Sequence, residues 1–347
     1  MRLFFLKIMA IIFPIAVLVI AVNFLVDPAN IFSSREYISG IAEILSSGHN
    51  VDNVSNYNER LLQEQMVRRL DQSPDIVVLG SSRIMEIGSD FFPGKKVLNA
   101  GVSHGNINDL VAITGLLDSF HRLPAEILIN VDPDLLGEKG STEWESLTVY
   151  HRYFVKHYFN NISAVESALF TQNLQKMYSL VSFEYFKKSI DFLFKGVSKK
   201  YFDVGDKMPL ISGKLADGTI CYSAAYRHPD TLKVATDAYN TGLKTGIPQV
   251  DSGKLRLFYT LLDFLDTKKI KTNFILMPYH LSFYTAANKK KDGCFEEYDS
   301  LYKQVALKHN IYVLGSFNPQ DLSIAPGMFY DMYHCSKEAI KKFLPII

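Results

Sequence analysis

After Arg2 and Lys7 the chain runs IMAIIFPIAVLVIAVNFLV, residues 8–26, without a charged side chain. A helix of about 19 such residues, rising roughly 1.5 Å at each, nearly spans a hydrocarbon core. A cleaved signal peptide has a shorter apolar core and a small-x-small cleavage site. No such site precedes Asp27, so the pattern predicts an uncleaved anchor over residues 1–26. The two cations lie before the span and Asp27 after it, which leaves the N-terminus cytoplasmic and the main domain periplasmic or extracellular.

Beyond the span the pattern changes to that of a folded domain. Residues 27–70 read as a connector and a first helix, NERLLQEQMVRRL (58–70), whose apolar positions recur at helical spacing. DIVVLG (75–80), KKVLNAG (95–101) and EILINVD (126–132) are short apolar runs that read as buried parallel strands, with the amphipathic helix NDLVAITGLLDSF (108–120) between the last two. The alternation stops over about 145–250, an aromatic-rich and then loop-like stretch. It resumes with a helix (255–268), a strand TNFILMP (272–278), a helix (296–309) and a strand IYVLGS (311–316). Strand–helix alternation predicts right-handed crossovers and a parallel sheet. The expectation is an α/β domain over residues 71–347, interrupted by one helical insertion.

Composition narrows this picture at two points. With 48% hydrophobic residues in 347, a large core is within reach. A net charge of +1 supplies no basic field, so nucleic acid is not an expected partner. Cys221, Cys294 and Cys335 are an odd number for an exported chain; they form one disulfide with a thiol left over, or remain buried thiols, and their spacing matches no metal site.

Ligands of open parallel sheets bind beyond the carboxyl ends of the strands. The first strand ends in LGSSRIMEI, where Ser81 or Ser82 either caps the next helix or stands near N–H groups and a positive helix end that favour an oxyanion. The second ends in NAGVSHGNIND: Gly101 either joins strand to helix or brings a backbone N–H close to a ligand. The third ends in NVDPDLL, whose Asn130 and Asp132 line the same cleft or cap the next turn. Far along the chain, DMYHCS (331–336) puts Asp331 and His334 close enough in a turn for the carboxylate to orient the imidazole. His334 is then placed to take a proton from a serine hydroxyl; a capping aspartate and a solvent histidine are the plainer alternative. One block follows the first strand and the other follows the last, so both project to one sheet edge.

In this order the G-x-S turn, the N-A-G turn and the terminal D-x-x-H resemble the SGNH/GDSL hydrolase superfamily over roughly residues 75–135 and 250–347. The resemblance implies a three-layer, flavodoxin-like parallel sheet and a serine enzyme without metal or organic cofactor. It places the nucleophile at Ser82, an oxyanion donor at Gly101 beside the Ser82 N–H, and the rest of the triad at Asp331 and His334. Two blocks depart from the family. Gly80-Ser81-Ser82 stands for G-D-S, and Asn130-Val131-Asp132-Pro133 for G-x-N-D. An ionised Asp132 would repel an oxyanion, so Asn130 or Asn106 substitutes, or the hole is weaker; one lost donor costs about a hundred- to a thousandfold in rate.

The form GSSR behind an anchor and a D-P-x-x-x-F connector (Asp27, Pro28, Phe32) is similar to membrane-anchored SGNH-like proteins of bacterial envelopes. These include the D-alanyl transfer protein of teichoic acid synthesis and the alginate acetylation proteins. That likeness implies acyl transfer to or from a cell-surface polymer, often beside a multi-spanning acyltransferase. Several side chains could serve such a site: His280 at the end of the fourth strand, His104, and Arg83, which pairs with an acidic polymer or with Glu86. The aromatics between Tyr150 and Phe194 stack on sugars or form the core of a helical subdomain. The expected function is a serine esterase or O-acyltransferase acting on a cell-envelope glycan or lipid. The alternative is a non-catalytic glycan-binding or scaffold protein that partners a membrane acyltransferase; a secreted lipase fits less well.

Overall fold

A computed structural model describes residues 2–27, 34–138, 143–159, 180–194, 200–245, 247–291 and 294–344. Its strands in chain order are β1 (Asn50–Asp52), β2 (Ile76–Leu79), β3 (Val97–Asn99), β4 (Glu126–Asn130), β5 (Phe202–Gly205), β6 (Gly213–Lys214), β7 (Ile220–Cys221), β8 (Lys271–Leu276) and β9 (Tyr312–Gly315). The parallel runs expected from the sequence pair as one five-stranded sheet in the order β3-β2-β4-β8-β9, every neighbour parallel. Counted along the sheet, that is the doubly wound order 2-1-3-4-5, with its switch point beside β2.

Strand alternation assigns the layers. Val77 and Leu79, Ile127 and Ile129, and Phe274 and Leu276 enter one core with the helices Ile107–Ser119, Ser252–Thr267 and Cys294–Lys308. Ile76 and Val78, Leu128, and Ile275 point into a second core with Ile84, Phe91, Ile340 and Leu344. Both faces of the sheet are therefore covered, which explains why these strands read as continuous apolar runs. The molecule is an α/β domain with helices on both sides of a parallel sheet.

The region read as a connector and the insertion hold a feature that the sequence pattern did not reveal. β1 lies inside residues 27–70 and pairs with β5 and β6, and β6 pairs with β7, giving an antiparallel sheet in the order β5-β1-β6-β7. The insertion is thus a helical part, a hairpin fastened to the domain, and then a further helix, Thr231–Thr245, in the stretch expected to be loop-like. Residues 160–179 of its aromatic stretch lie outside the described residues, as do Pro28 and Phe32 of the connector motif. The three cysteines are free and buried.

The N-terminal helix runs Arg2–Val26 with Pro14 inside it. Among the described residues no helix is long and apolar enough to cross a membrane. The side chains described in this helix are those of positions 10 and 12–26, fewer than the roughly 20 residues a span requires. Ile12, Phe13, Ile15, Leu18, Phe24 and Leu25 are exposed. At its lower end the helix meets the helix Phe183–Phe194 through a polar lock: Asn23 Nδ2 donates to the Leu180 and Ser182 carbonyls, and the Tyr185 hydroxyl donates to Asp27 at 2.8 Å.

Candidate active site

Ser82 follows β2 by a turn that only a residue without a side chain can open. A Cβ on Gly80 would lie 2.5 Å from Asn130 Cβ. Ser81 then caps a single 3-10 turn, Ser82–Ile84. The expected helix and its positive end are reduced to that turn, too short for a sizeable dipole. Asp331 and His334 sit in a tight loop closed by the Phe329–Cys335 bridge and by Tyr330 N–H donating to the His334 carbonyl at 2.8 Å. His280 N–H donates to the Met332 carbonyl at 3.0 Å, which fastens this loop to the end of β8.

These two local structures bring three side chains into a line. Ser82 Oγ lies 2.8 Å from His334 Nε2, and His334 Nδ1 lies 2.8 Å from Asp331 Oδ2. Because Nδ1 faces a carboxylate, that nitrogen carries the proton and Nε2 is left to accept from the serine hydroxyl. Asp331 Oδ1 also accepts the backbone N–H groups of Tyr333 and His334, at 2.7 and 2.8 Å. Burial opposes ionisation of Asp331, but the bonds from His334 and Tyr226 and the imidazole's charge outweigh it and hold the carboxyl below its ordinary value.

Tyr226, from the insertion, was not singled out by the sequence. Its hydroxyl donates to Asp331 Oδ2 at 2.6 Å and lies 3.1 Å from His334 Nδ1. Tyr222 and Tyr330 pack around it, with ring centroids 4.7 and 5.5 Å away. Nothing in CYSAAYRHP marks Tyr226 beyond an i, i+4 pair with Tyr222; only the fold brings it to residue 331.

Other expected site residues are placed differently. The Gly101 N–H donates at 2.9 Å to Asn99 Oδ1, whose amide nitrogen holds the carbonyls of Ile84 and Ile87. Asn99 therefore braces the Ser82 turn and takes the N–H expected to meet an oxyanion. Asn130 is buried; it accepts from Ser81 Oγ at 3.0 Å and donates to the Ile275 carbonyl at 3.3 Å. Asn106 caps the helix Ile107–Ser119 with its side-chain oxygen. The Ser82 N–H has no partner among the described residues.

Ser81 and Asp132 face each other inside the protein: Ser81 Oγ is 3.1 Å from Asp132 Oδ2, and burial, with Asp134 nearby, raises the Asp132 carboxyl against the pull of Arg83. Arg83 itself is 6% exposed and points inward. Its Nε donates to the Tyr333 carbonyl and its Nη2 to those of Met277 and Pro278, while the guanidinium lies 3.8 Å from the Tyr279 ring centroid. His280 is 1% exposed, caps the helix Leu281–Lys290 through Nδ1, and has its pKa lowered by burial. So Arg83, Ser81, Asp132 and His280 face protein atoms rather than a substrate cleft. His104 is exposed, at φ 52°, on the loop after β3.

That loop is held from behind by the helix Glu59–Arg68. Ser103 N–H and Oγ donate to the Glu59 carboxylate, and Arg60, buried against Asp109 at 2.9 Å, donates to the Ser103 carbonyl at 2.8 Å. Of groupings that could hold a metal, the described residues offer Asp263, Asp266 and His309. There Asp266 already pairs with His309 Nδ1 at 2.7 Å, and none of the three belongs to the serine site.

Fold and site together define an α/β domain with a Ser–His–Asp hydrogen-bond chain at the carboxyl edge of a doubly wound sheet. Compared with protein-family models and with curated proteins, the chain finds no match among either.

Proposed function

We propose that the protein is a serine esterase or O-acyltransferase of the type the SGNH/GDSL resemblance implies, acting on an acylated glycan or lipid of the cell envelope. One observation carries the reading: Ser82 Oγ, His334 and Asp331 are joined by two contacts of 2.8 Å in the order a nucleophile, base and orienting carboxylate require. Ser82 Oγ attacks the acyl carbonyl while its proton passes to His334 Nε2. The Ser82 N–H donates to the oxyanion. As the C–O bond breaks, the same proton goes from Nε2 to the leaving alkoxide, and acyl-Ser82 remains. A sugar hydroxyl or water, deprotonated by Nε2, then takes the acyl group. No step draws on a metal or an organic cofactor.

The N-terminal helix is the anchor in this reading. Its support is the uncharged sequence of residues 8–26 and the exposed apolar side chains from Ile12 to Leu25. The catalytic domain then lies outside the cytoplasm, where an envelope polymer and a multi-spanning acyltransferase are accessible partners.

A second reading has its own observation. With Gly101 N–H given to Asn99 and Asn130 buried, two of the expected oxyanion donors are committed elsewhere, as suits a scaffold or glycan-binding member of the same fold. A fluorophosphonate that labels activated serines separates the two. Membranes carrying the full chain, Ser82→Ala or His334→Ala would be treated, washed at alkaline pH and peptide-mapped. The enzyme reading expects label on Ser82 in the washed pellet, none in Ser82→Ala and at least a hundredfold less in His334→Ala. Folded, unlabelled protein would leave the scaffold; label released into the wash would remove the anchor.

A further inference from the structure

We propose that Tyr226 of the insertion is a positioning residue of the serine site, fixing the His334 imidazole by hydrogen-bonding the carboxylate that orients it. The inference rests on the esterase or acyltransferase reading and goes beyond it, because it makes the insertion part of the reaction rather than an appendage.

The geometry admits one arrangement of protons. Asp331 is an acceptor only, so the 2.6 Å contact takes the phenolic proton. That leaves the phenol's lone pairs toward His334 Nδ1, 3.1 Å away, whose own proton also points at Asp331. The Nδ1–H is thus cradled between a carboxylate and a phenol oxygen. A ring flip would put a carbon against both acceptors, and the other tautomer would put a bare nitrogen there. Tyr226 therefore selects the rotamer and tautomer in which Nε2 is free to take the Ser82 proton.

The insertion is tied to the Ser82 side by bonds that carry Tyr226 into place. Ile220 N–H donates to the Met85 carbonyl at 2.9 Å, immediately behind the Ser82 turn. Asn99 N–H donates to the Asp217 carbonyl at 2.8 Å, and Asp217 in turn accepts from Ser89 N–H and Oγ at 2.7 Å each. Two residues past β7, Ser223 caps the short turn Ala224–Arg227, which aims the Tyr226 ring at residue 331. The hairpin grips the element carrying the nucleophile, and its next turn touches the element carrying the base.

The hydroxyl also sets how strongly Asp331 acts on the imidazole. A phenol bonded to a carboxylate disperses its charge and weakens its hold on a cation. The other titratable or charged groups around the pair are Tyr222 from the insertion, Tyr330, Tyr333 and Cys335 from the histidine's own loop, and Arg83 and Glu86 from the Ser82 side; burial keeps the three phenols and the thiol neutral. Removing the Tyr226 hydroxyl alone then leaves Asp331 more basic and the ring less restrained.

The test compares the full chain, Tyr226→Phe and Tyr222→Phe, with histidine labelled in nitrogen-15. Two readouts are taken: the pH dependence of Ser82 labelling by the fluorophosphonate, and the Nδ1–H resonance of His334. For Tyr226→Phe the labelling rate falls about 3- to 10-fold, the range of one lost hydrogen bond. Its acid limb moves to higher pH, and the Nδ1–H signal shifts or broadens; Tyr222→Phe moves neither. A Tyr226→Phe protein with unchanged limb and Nδ1–H signal overturns the role of Tyr226 while leaving the serine reaction standing. Ser82 unlabelled in the unaltered chain overturns the reaction and the positioning role with it.

Discussion

Arg83 stands one position after Ser82, yet its charge never reaches the surface. Three carbonyls, of Met277, Pro278 and Tyr333, share its Nε and Nη2, and the Tyr279 ring covers its face. Two of those carbonyls belong to the two residues that follow β8 and the third to the residue before His334, so one side chain ties the Ser82 turn to the His334 loop. A hydrogen bond to a charged donor is worth about 1.5–3 kcal/mol, and an unpaired buried carbonyl costs about 1–3 kcal/mol. Arg83→Met keeps the length and apolar stem but abandons all three acceptors. Its expected cost is about 3 kcal/mol in denaturant unfolding, with Ser82 labelling lost in parallel. A loss below about 0.5 kcal/mol would show that Arg83 is not the tie between the two loops. Sequence alone could not decide this, because a charged residue next to a candidate nucleophile reads equally as a substrate contact. Direction of burial is a tertiary property.

At the level of elements, the hairpin β6–β7 shows what sequence pattern can and cannot reveal. DIVVLG, EILINVD and TNFILMP were legible as strands because each is an apolar run buried on both faces, and each lies in the parallel sheet. β1, β6 and β7 are two or three residues long, too short for any period, and β1 meets partners some 150 residues away. The candidate site divides the same way. Ser82, Asp331 and His334 lie in local motifs that could be read directly. Tyr226 arrives only through the second sheet, and the Gly101 N–H is taken by a strand residue, Asn99, that looked like part of a β-run. Gly218 tests the hairpin's importance: it adopts φ +86°, and a Cβ there would lie 2.5 Å from the Asn99 carbonyl oxygen. Gly218→Ala forces both a left-handed backbone and a backbone clash, at a cost of about 1–3 kcal/mol. Because Asn99 braces the Ser82 turn, Ser82 labelling should slow as stability drops. Wild-type stability and labelling in this variant would detach the hairpin from the site.

For the molecule as a whole, Glu86 and Asp331 pull the dependence of stability on pH in opposite senses. Glu86, under the Ser82 turn, accepts a hydrogen bond from Tyr330 of the histidine's loop at 3.4 Å, and burial pushes its carboxyl from 4.5 up to about 7. Between those values the folded chain holds a proton that the unfolded chain has released. Stability contributed by neutral Glu86 is therefore intact below about pH 4.5 and falls away as pH rises towards 7. Asp331 acts in the opposite sense. Its carboxyl is held below the ordinary 3.8, so its contribution is present above that value and disappears as the medium becomes more acid. The two contributions are jointly greatest between pH 3.8 and 4.5, where Glu86 is neutral and folded Asp331 is ionised. Glu86→Gln keeps an oxygen for the Tyr330 hydroxyl and removes the titration. In denaturant unfolding it should match the wild type at pH 5 and exceed it at pH 8 by on the order of 2 kcal/mol. Equal losses of stability between pH 5 and pH 8 in the two proteins would mean that Glu86 ionises in the folded state at its ordinary value.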